Sequence, residues 1–324
     1  MSLDFKYLIT IELLGLLNSN LSQFPPDTPT LSGIYAMEYN GDDLKELQLS
    51  GPFWAKKEAP QRFYVPSPFN YVINSRRIDD RATWNGQQWQ TRSGLFLPKP
   101  SINSNYWIAI QDWHNPQYAE PNPWVISSFS HACLDKNERT LNVNGERNPV
   151  FREDAVQMQE DTCIVYLANL ELPDGWYRFG GKGHIVNLCC HELEEATQQQ
   201  LNQYPGKSFA LITPAVWGSR RLSYQEPAIA KSPQWQPAWD IETMLSSPPK
   251  VFRYRLGGQG KVKRLSRGRY AVPAGSVYIL RSPLEQPWQD WPDDWFPKEA
   301  YSFKRWGCSL VLPLENAIAE KSIP

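Results

Sequence analysis

Two short glycine-rich segments contain the residue types and spacing that most suggest chemistry in this chain. The first, YRFGGKGHIVNL, begins at Tyr177, and the second, YRLGGQGKVKRL, begins 77 residues later at Tyr254. They share six identical positions: the tyrosine, the arginine, three glycines and the closing leucine. Because glycine has no Cβ, such a loop lets backbone N–H groups approach the oxygens of a phosphate. We interpret both segments as phosphate-binding loops, and a duplicated hairpin turn is the alternative.

Positive charge accompanies the second segment. Between Lys250 and Arg269 the chain has eight cations and no acid, although its formal net charge is only −1. A run of like charges is often only a solvated face, but glycines and Tyr254 are interleaved with this one. That mixture is typical of a surface that holds single-stranded RNA by its phosphates and stacks a base on a ring. The candidate RNA-binding residues here are Arg255, Gly257, Gly258, Gly260, Lys261, Lys263, Arg264, Arg267 and Arg269.

Neither segment matches a nucleotide-cofactor motif. GGKGH and GGQGK are not G-x-G-x-x-G, and neither lies between a strand and an evident long helix. The G-x-x-x-x-G-K-S/T loop is also absent from the sequence. We therefore expect no cofactor.

A catalytic alternative centres on the histidine that follows the first three glycines. His184 could act as general base on a ribose 2′-hydroxyl while Lys182 stabilises the phosphate, as in a metal-free endoribonuclease. No second histidine or tyrosine is obviously placed to complete an acid–base pair, so we favour a His184 that only hydrogen-bonds a phosphate or the backbone. The adjacent Cys189, Cys190 and His191 lack the spacing of a zinc site, and we expect no metal.

Composition sets broader limits. The 324 residues suffice for two domains or one duplicated domain. Fourteen Trp and 15 Tyr suggest large interfaces or stacking platforms, and the acids of DWPDDW, set among tryptophans, suggest a protein-contact surface. Five cysteines without paired spacing favour a reducing compartment. With no signal-peptide pattern and no apolar stretch of about 20 residues, we expect a cytoplasmic protein without a membrane span.

The elements that must position the glycine segments are mostly strands. Aliphatic and β-branched residues predict buried strands at Tyr7–Leu17 and Cys163–Leu172, and again in FALITPAVW, AVPAGSVYIL and SFKRWGCSLVLPL. The strongest helix prediction is His191–Tyr204, and a short helix is predicted from Thr30. Frequent prolines in Gly51–Pro123 favour irregular loops and edge strands.

This alternation of many strands with few helices predicts an α+β fold. We expect ferredoxin-like (RRM-like) halves, a first domain at residues 1–172 and a second at 173–324. The glycine-rich segments both lie in the second domain. A projecting hairpin is expected at about residues 121–165, and the remaining long stretches are expected to be irregular insertions.

Several segments together resemble a known family. HACLDKNERTLNVNGE from His131, RFGGKG from Arg178, LITPAVW from Leu211 and VPAGSVYIL from Val272 are similar to the RAMP superfamily of CRISPR-associated proteins. Within it they resemble the subunit that caps the 5′ end of the guide RNA in type III-B (Cmr) effector complexes. The resembling segments span most of the chain from Gly51 onward.

The resemblance implies a non-catalytic subunit that holds the repeat-derived 5′ tag of the CRISPR RNA (crRNA). Its implied partners are that crRNA, the large polymerase-like subunit and the backbone RAMP subunit. The first glycine segment would line the path of the tag, through Arg178, Gly180, Gly181, Lys182, Gly183 and His184. A projecting hairpin would contact the guide through His131, Asp135, Lys136 and Arg139.

Overall fold

The computed structural model describes residues 4–13, 30–31, 47–95, 105–132, 150–179, 184–218, 222–229, 236–252, 267–299, 301–315 and 317–319. The strands are β1 (Tyr7–Leu13), β2 (Thr30–Leu31), β3 (Leu49–Lys56), β4 (Tyr64–Pro66), β5 (Tyr71–Asn74), β6 (Arg77–Arg81), β7 (Thr83–Trp84), β8 (Trp89–Thr91), β9 (Gly94–Leu95), β10 (Tyr106–Ala109), β11 (Glu120–Pro121), β12 (Trp124–Ala132), β13 (Val150–Met158), β14 (Thr162–Ala168), β15 (Gly175–Phe179), β16 (His184–Glu192), β17 (Gly206–Leu211), β18 (Trp217–Gly218), β19 (Ser223–Tyr224), β20 (Ile241–Leu245), β21 (Lys250–Phe252), β22 (Arg269–Ala271), β23 (Val277–Leu284), β24 (Lys298–Glu299), β25 (Tyr301–Ser302) and β26 (Val311–Pro313). The α-helix is α1 (Glu195–Leu201), and short 3-10 turns lie at Ile110–Asp112, Trp288–Asp290 and Asp293–Trp295.

The fold is α+β and consists mainly of antiparallel sheet, which confirms the predicted class. α1 is the one α-helix in the described ranges. The division into ferredoxin-like halves stays a prediction.

The largest element is a nine-stranded sheet with the order β11-β10-β4-β3-β14-β1-β16-β15-β2. All of its pairings are antiparallel except that of β15 with β2. The predicted boundary at residue 172 lies between β14 and β15, which both belong to this sheet. A division into two domains at that point also stays a prediction.

Both faces of this sheet are buried at its centre, because successive side chains of a strand point to opposite faces. In β1, Leu8 packs into the larger hydrophobic core, whereas Ile9 and Ile11 pack into a second, smaller core. Tyr177 and Val186, from β15 and β16, belong to the smaller core as well. The near-continuous apolar run in β1 thus reflects a strand with apolar neighbours on both sides.

A four-stranded antiparallel sheet, β20-β23-β17-β26, also contributes residues to the larger core. Aromatic rings fill it: the Phe209 and Tyr278 rings stack with centroids 5.2 Å apart, and Trp239 meets both rings edge-on. Trp217 and Trp291 lie against this group, and each is 1% exposed or less. Most of the unusual tryptophan content therefore serves packing.

The DWPDDW segment, predicted as a protein-contact surface, is buried at its first tryptophan and exposed at its acids. Its Trp291 and the preceding Trp288 are each only 1% exposed. Lys304 is buried beneath them and donates from Nζ to the carbonyl oxygens of Gln289 (2.7 Å) and Trp291 (2.6 Å). The acids of the segment, such as Asp293, remain exposed. These two tryptophans therefore serve packing, whereas a protein-contact role for the exposed acids stays a prediction.

Long-range contacts tie the two sheets together. Trp113 Nε1 donates to the Pro313 carbonyl (2.7 Å), and Phe69 N donates to the Gly275 carbonyl (2.8 Å). Gly307, at φ +65°, lies so close to β3 that a Cβ on it would be 2.3 Å from Leu49 O. The C-terminal region and the nine-stranded sheet are therefore in direct contact.

The predicted hairpin is present as an isolated ribbon. β12 and β13 pair antiparallel over nine positions, from Trp124↔Met158 to Ala132↔Val150, and form a two-stranded sheet of their own. Trp124 and Met158 pack against the larger core at its base. Beyond them, Ile126 is 63% exposed.

Some element boundaries differ from the sequence predictions. His191 and Glu192 belong to β16, because their backbones pair with β1, and the helix begins only at Glu195. Thr30 and Leu31 form β2 beside β15 rather than opening a helix, and the rest of that predicted helix lies outside the described residues. Gly307 lies in a turn before β26, not in a strand.

Two predicted strands agree with the structure over most of their length. β1 matches the predicted strand as far as Leu13, and β14 matches the strand predicted at Cys163–Leu172 as far as Ala168. In the described residues between 51 and 123, short strands and turns alternate as expected, but β3, β4 and β10 lie inside the nine-stranded sheet rather than at its edge. No helix in the described ranges is long and apolar enough to cross a membrane. Cys163, Cys189, Cys190 and Cys308 are all unbridged.

Candidate nucleic-acid interface

The first glycine segment connects two paired strands. β15 and β16 form an antiparallel hairpin with five ladder pairs, from Gly175↔Leu188 to Phe179↔His184. Tyr177, which opens the repeated motif, is 3% exposed and donates its hydroxyl to the Pro173 carbonyl (2.6 Å). The motif tyrosine is thus a structural anchor of the stem rather than a stacking ring.

The predicted contacts of this segment divide into two groups. Arg178 pairs with Ile185 in the ladder, and His184 opens β16, so both backbones are fixed at the end of the hairpin stem. Gly180, Gly181, Lys182 and Gly183 lie between the two strands, outside the described residues.

The second glycine segment has the same setting. β21 and β22 pair antiparallel through Lys250↔Ala271, Val251↔Tyr270 and Phe252↔Arg269. The stem is braced on the body of the protein, because Tyr270 N donates to Ser223 Oγ (3.0 Å) and Val272 exchanges backbone hydrogen bonds with Ala215. The residues Arg255, Gly257, Gly258, Gly260, Lys261, Lys263 and Arg264 lie outside the described part of the chain.

The last two cations of this segment have different surroundings. Arg267 is exposed. Arg269 is 5% exposed, and its guanidinium carbon lies 5.6 Å from the centroid of the Phe303 ring. Packing of this kind suits a planar guanidinium, whose flat face stacks on an aromatic ring. Arg269 therefore holds the stem to the core, and its predicted contact with RNA stays a prediction.

The ribbon places only part of the third predicted group. His131 pairs with Phe151 near the far end of the β12–β13 ladder. Asp135, Lys136 and Arg139 follow in the connection, outside the described residues.

A further polar surface was not predicted from the sequence. Beside the first glycine segment, one face of β1, β16 and β15 changes from buried to open. Trp176 is directly paired with Asn187, and Asn187 is directly paired with Glu12, so the three positions form a row across three strands. We call the open polar face the set formed by Glu12, Trp176, Asn187, Cys189 and His191.

Hydrogen bonds hold this face in place. Thr10 Oγ1 donates to the Cys189 carbonyl (3.3 Å) and lies 3.5 Å from His191 Nε2. Asn187 Nδ2 approaches Cys189 Sγ at 3.5 Å, and the Glu12 carboxylate lies 3.5 Å from Lys57 Nζ. The face is therefore polar, and its carboxylate, Glu12, is paired with a lysine.

The adjacent cysteines do not share a face of the sheet. Cys189 and Cys190 are consecutive in β16, so they point to opposite faces, and Cys190 packs against the smaller core. Burial is the largest cause that raises the pKa of both thiols; the Asp174 carboxylate adds to the rise at Cys189, and the Glu171 and Asp174 carboxylates add to it at Cys190. Within the described ranges, no group of three or more His, Cys, Asp or Glu residues is placed to hold a metal ion.

One sequence signal pointed to the open polar face. In HIVNLCCHE the polar Asn187 and His191 alternate with the apolar Val186 and Leu188, which is typical of a strand with one open face. The row from Trp176 to Glu12 could not be found in this way, because it depends on the register between strands that are distant in sequence.

Comparisons with known proteins give a distant structural likeness. No protein-family model matches the chain, and no curated protein matches its sequence. A chain in a cryo-EM structure of the type III-B Cmr-beta complex bound to cognate target RNA is similar at 10% identity and a TM-score of 0.38, over 84% of this chain and 86% of that one. The same values hold for the complex bound to cognate target RNA and AMPPnP in state 1.

Proposed function

We propose that this chain is a non-catalytic RNA-binding subunit of a type III CRISPR effector complex, and that it holds the 5′ tag of the crRNA. The observation that carries the proposal is the common setting of the two glycine segments. Each connects the strands of an antiparallel hairpin whose stem is fixed to the body of the protein. A rigid stem that presents a glycine-rich loop suits the recognition of phosphates by backbone N–H groups.

The isolated β12–β13 hairpin supports a protein that works in an assembly with partners. An isolated two-stranded hairpin is at best marginally stable in water, and β12–β13 extends over nine pairs without another strand in its sheet. Such an element suits contact with a partner. The candidate partners are the crRNA, the large polymerase-like subunit and the backbone RAMP subunit, as the sequence resemblance implies.

Sequencing of co-purified RNA tests the proposal. The protein, co-expressed with its neighbouring CRISPR subunits and a repeat-spacer array, is purified under low-salt conditions, and its bound small RNAs are sequenced. We expect a uniform 5′ end derived from the repeat. A population of random cellular fragments would contradict tag binding, and the absence of RNA would contradict RNA binding altogether.

The proposed lack of catalysis needs its own test, because His184 follows the third glycine of the first glycine segment in sequence and opens β16. The purified chain is incubated with a labelled repeat-containing transcript in the presence of EDTA. We expect no cleavage by the wild type and none by His184→Ala. Cleavage by the wild type that is lost in His184→Ala would instead establish the metal-free endoribonuclease.

A further inference from the structure

An exposed tryptophan stands on the stem of the first glycine hairpin. Trp176 is 56% exposed, whereas the next residue, Tyr177, is 3% exposed and points into the smaller core. An indole ring is among the largest apolar surfaces that a side chain can offer, and most tryptophans in the described ranges are buried. More than half of the Trp176 surface therefore faces solvent.

The residue opposite Trp176 limits what that ligand is. Asn187 is its direct ladder partner, and directly opposed residues share a face with their Cβ atoms about 5 Å apart. The Asn187 amide has two N–H donors and a carbonyl acceptor, and its contact with the weakly accepting Cys189 Sγ leaves most of this capacity available. A flat ligand on the indole would thus meet a group that both donates and accepts hydrogen bonds.

The next residue in the row is polar as well. Glu12 follows Asn187 on β1, and its carboxylate is neutralised by Lys57. An apolar protein surface pressed onto this row would remove water from an amide and an ion pair without replacing their hydrogen bonds. An unpaired nucleobase has a π-face for the indole and donor and acceptor groups along its edge.

We propose that Trp176 and Asn187 form a subsite for one unpaired nucleobase of a single-stranded RNA. The base stacks on the indole, and its edge hydrogen-bonds the Asn187 amide. This inference rests on the proposed function. Phe179, the last residue of β15, lies three residues beyond Trp176, about 10 Å along the strand, so a single RNA strand can span the subsite and the end of the stem.

Binding measurements on surface variants test the subsite. The affinity of the full chain for a fluorescein-labelled single-stranded RNA is measured by anisotropy for the wild type and for Trp176→Ala, Trp176→Phe and Asn187→Ala. Removal of one stacked base is expected to weaken the affinity of Trp176→Ala roughly 5- to 100-fold. Trp176→Phe should retain most of the affinity, and Asn187→Ala should change the preference among homopolymer RNAs.

Two other exposed aromatic residues provide matched controls. Tyr118 is 68% exposed and Tyr204 is 61% exposed, and neither lies on a glycine hairpin. Tyr118→Ala and Tyr204→Ala should bind like the wild type. The slope of log affinity against log salt should be the same in Trp176→Ala as in the wild type, because stacking releases no counterions.

Crosslinking gives a second, positive readout. RNA that contains 5-iodouridine is irradiated in the complex, and the crosslinked peptide is identified by mass spectrometry. We expect the crosslink at Trp176.

The possible outcomes separate the two proposals. RNA binding that is unchanged in Trp176→Ala overturns the subsite and leaves the proposed function in place. A wild-type protein that binds no RNA overturns both. If Trp176→Ala loses a protein subunit of the complex but not RNA, the ring binds protein and the subsite is wrong.

Discussion

At the scale of single residues, Lys304 shows how a buried charge organises the aromatic core. It is 3% exposed, its Nζ donates to two backbone carbonyls, and it lies 5.8 Å from the centroid of the Trp288 ring. Burial lowers the pKa of its ammonium group, although the Asp293 and Asp290 carboxylates oppose that shift. Lys304 therefore fixes the segment that carries Trp288 and Trp291.

Replacing this lysine should destabilise the fold. In Lys304→Met, two buried carbonyl oxygens lose their donor, which should lower the free energy of unfolding by roughly 2–4 kcal/mol. Urea unfolding measures the change. Lys298→Met, at an exposed position of the same region, is the control and should stay within about 0.5 kcal/mol of the wild type. Equal effects of the two substitutions would show that the buried hydrogen bonds add nothing.

Glu226 should make stability depend on pH. Burial raises the pKa of Glu226 to about 7 from an ordinary value of 4.5, with a backbone hydrogen bond at Trp239 opposing and Asp240 adding to the rise. Because the folded state favours the protonated carboxyl, its contribution is full below pH 4.5 and is lost as pH rises through about 7.

Glu226→Gln, which cannot ionise, tests this dependence. Thermal unfolding at a series of pH values should show the variant gaining stability relative to the wild type as pH rises from about 5 to about 8. Glu285→Gln, at an exposed position, should follow the wild type throughout. A constant difference between Glu226→Gln and the wild type over this range would mean that the carboxyl titrates alike in the folded and unfolded states.

At the scale of elements, the turn at Gly307 joins the C-terminal region to β3. A Cβ at this position would lie 2.3 Å from both Leu49 O and Ser50 Cα, and the residue has φ +65°. The Gly307 carbonyl also accepts hydrogen bonds from Ser50 Oγ (3.1 Å) and Thr213 Oγ1 (2.7 Å). No side chain fits here unless β3 moves.

Alanine substitutions at Gly307 and Gly86 distinguish the effect of the close approach to β3 from the effect of backbone strain. Gly86 also has a positive φ (+94°), but a Cβ there would meet nothing within 4 Å. Gly307→Ala should therefore lower the free energy of unfolding more than Gly86→Ala does, by roughly 1–3 kcal/mol. Equilibrium unfolding in urea provides both values. If the two variants show the same decrease in stability, backbone strain alone explains why glycine is needed at position 307, and the packing against β3 is loose.

The sequence predicted the type of element better than its limits. The apolar runs in β1 and β14 were sufficient signals, because strands buried on both faces carry little else. The end of β16 was not predictable, since His191 and Glu192 have helix-compatible neighbours and join the strand only through pairing with β1. The sequence allowed two interpretations of the glycine segments, a duplicated hairpin turn and a phosphate-binding loop. The structure shows that both segments connect the strands of a hairpin, and phosphate binding stays a prediction.

At the scale of the whole molecule, charge is distributed unevenly on a nearly neutral chain. The formal net charge is −1, yet the region from Lys250 to Arg269 has eight cations and no acid. Sequence alone treats these cations as equivalent. The structure separates Arg269, which is buried against Phe303, from Arg267, which is exposed. Any test of RNA binding through this region should therefore spare Arg269, whose removal would disturb the stem.

The salt dependence of RNA affinity tests whether this region contacts phosphates. A variant with alanine at Lys261, Lys263, Arg264 and Arg267 should bind single-stranded RNA more weakly. Its slope of log affinity against log salt should be shallower by about 0.7 for each phosphate that the variant no longer binds.

The control variant has alanine at four exposed cations elsewhere in the chain, Arg76, Arg77, Arg92 and Lys207. Both variants remove four positive charges, so they change the net charge equally. A shallower slope in the first variant alone places the phosphate contacts in the basic segment, whereas equal slopes in the two variants would show that RNA responds only to overall charge.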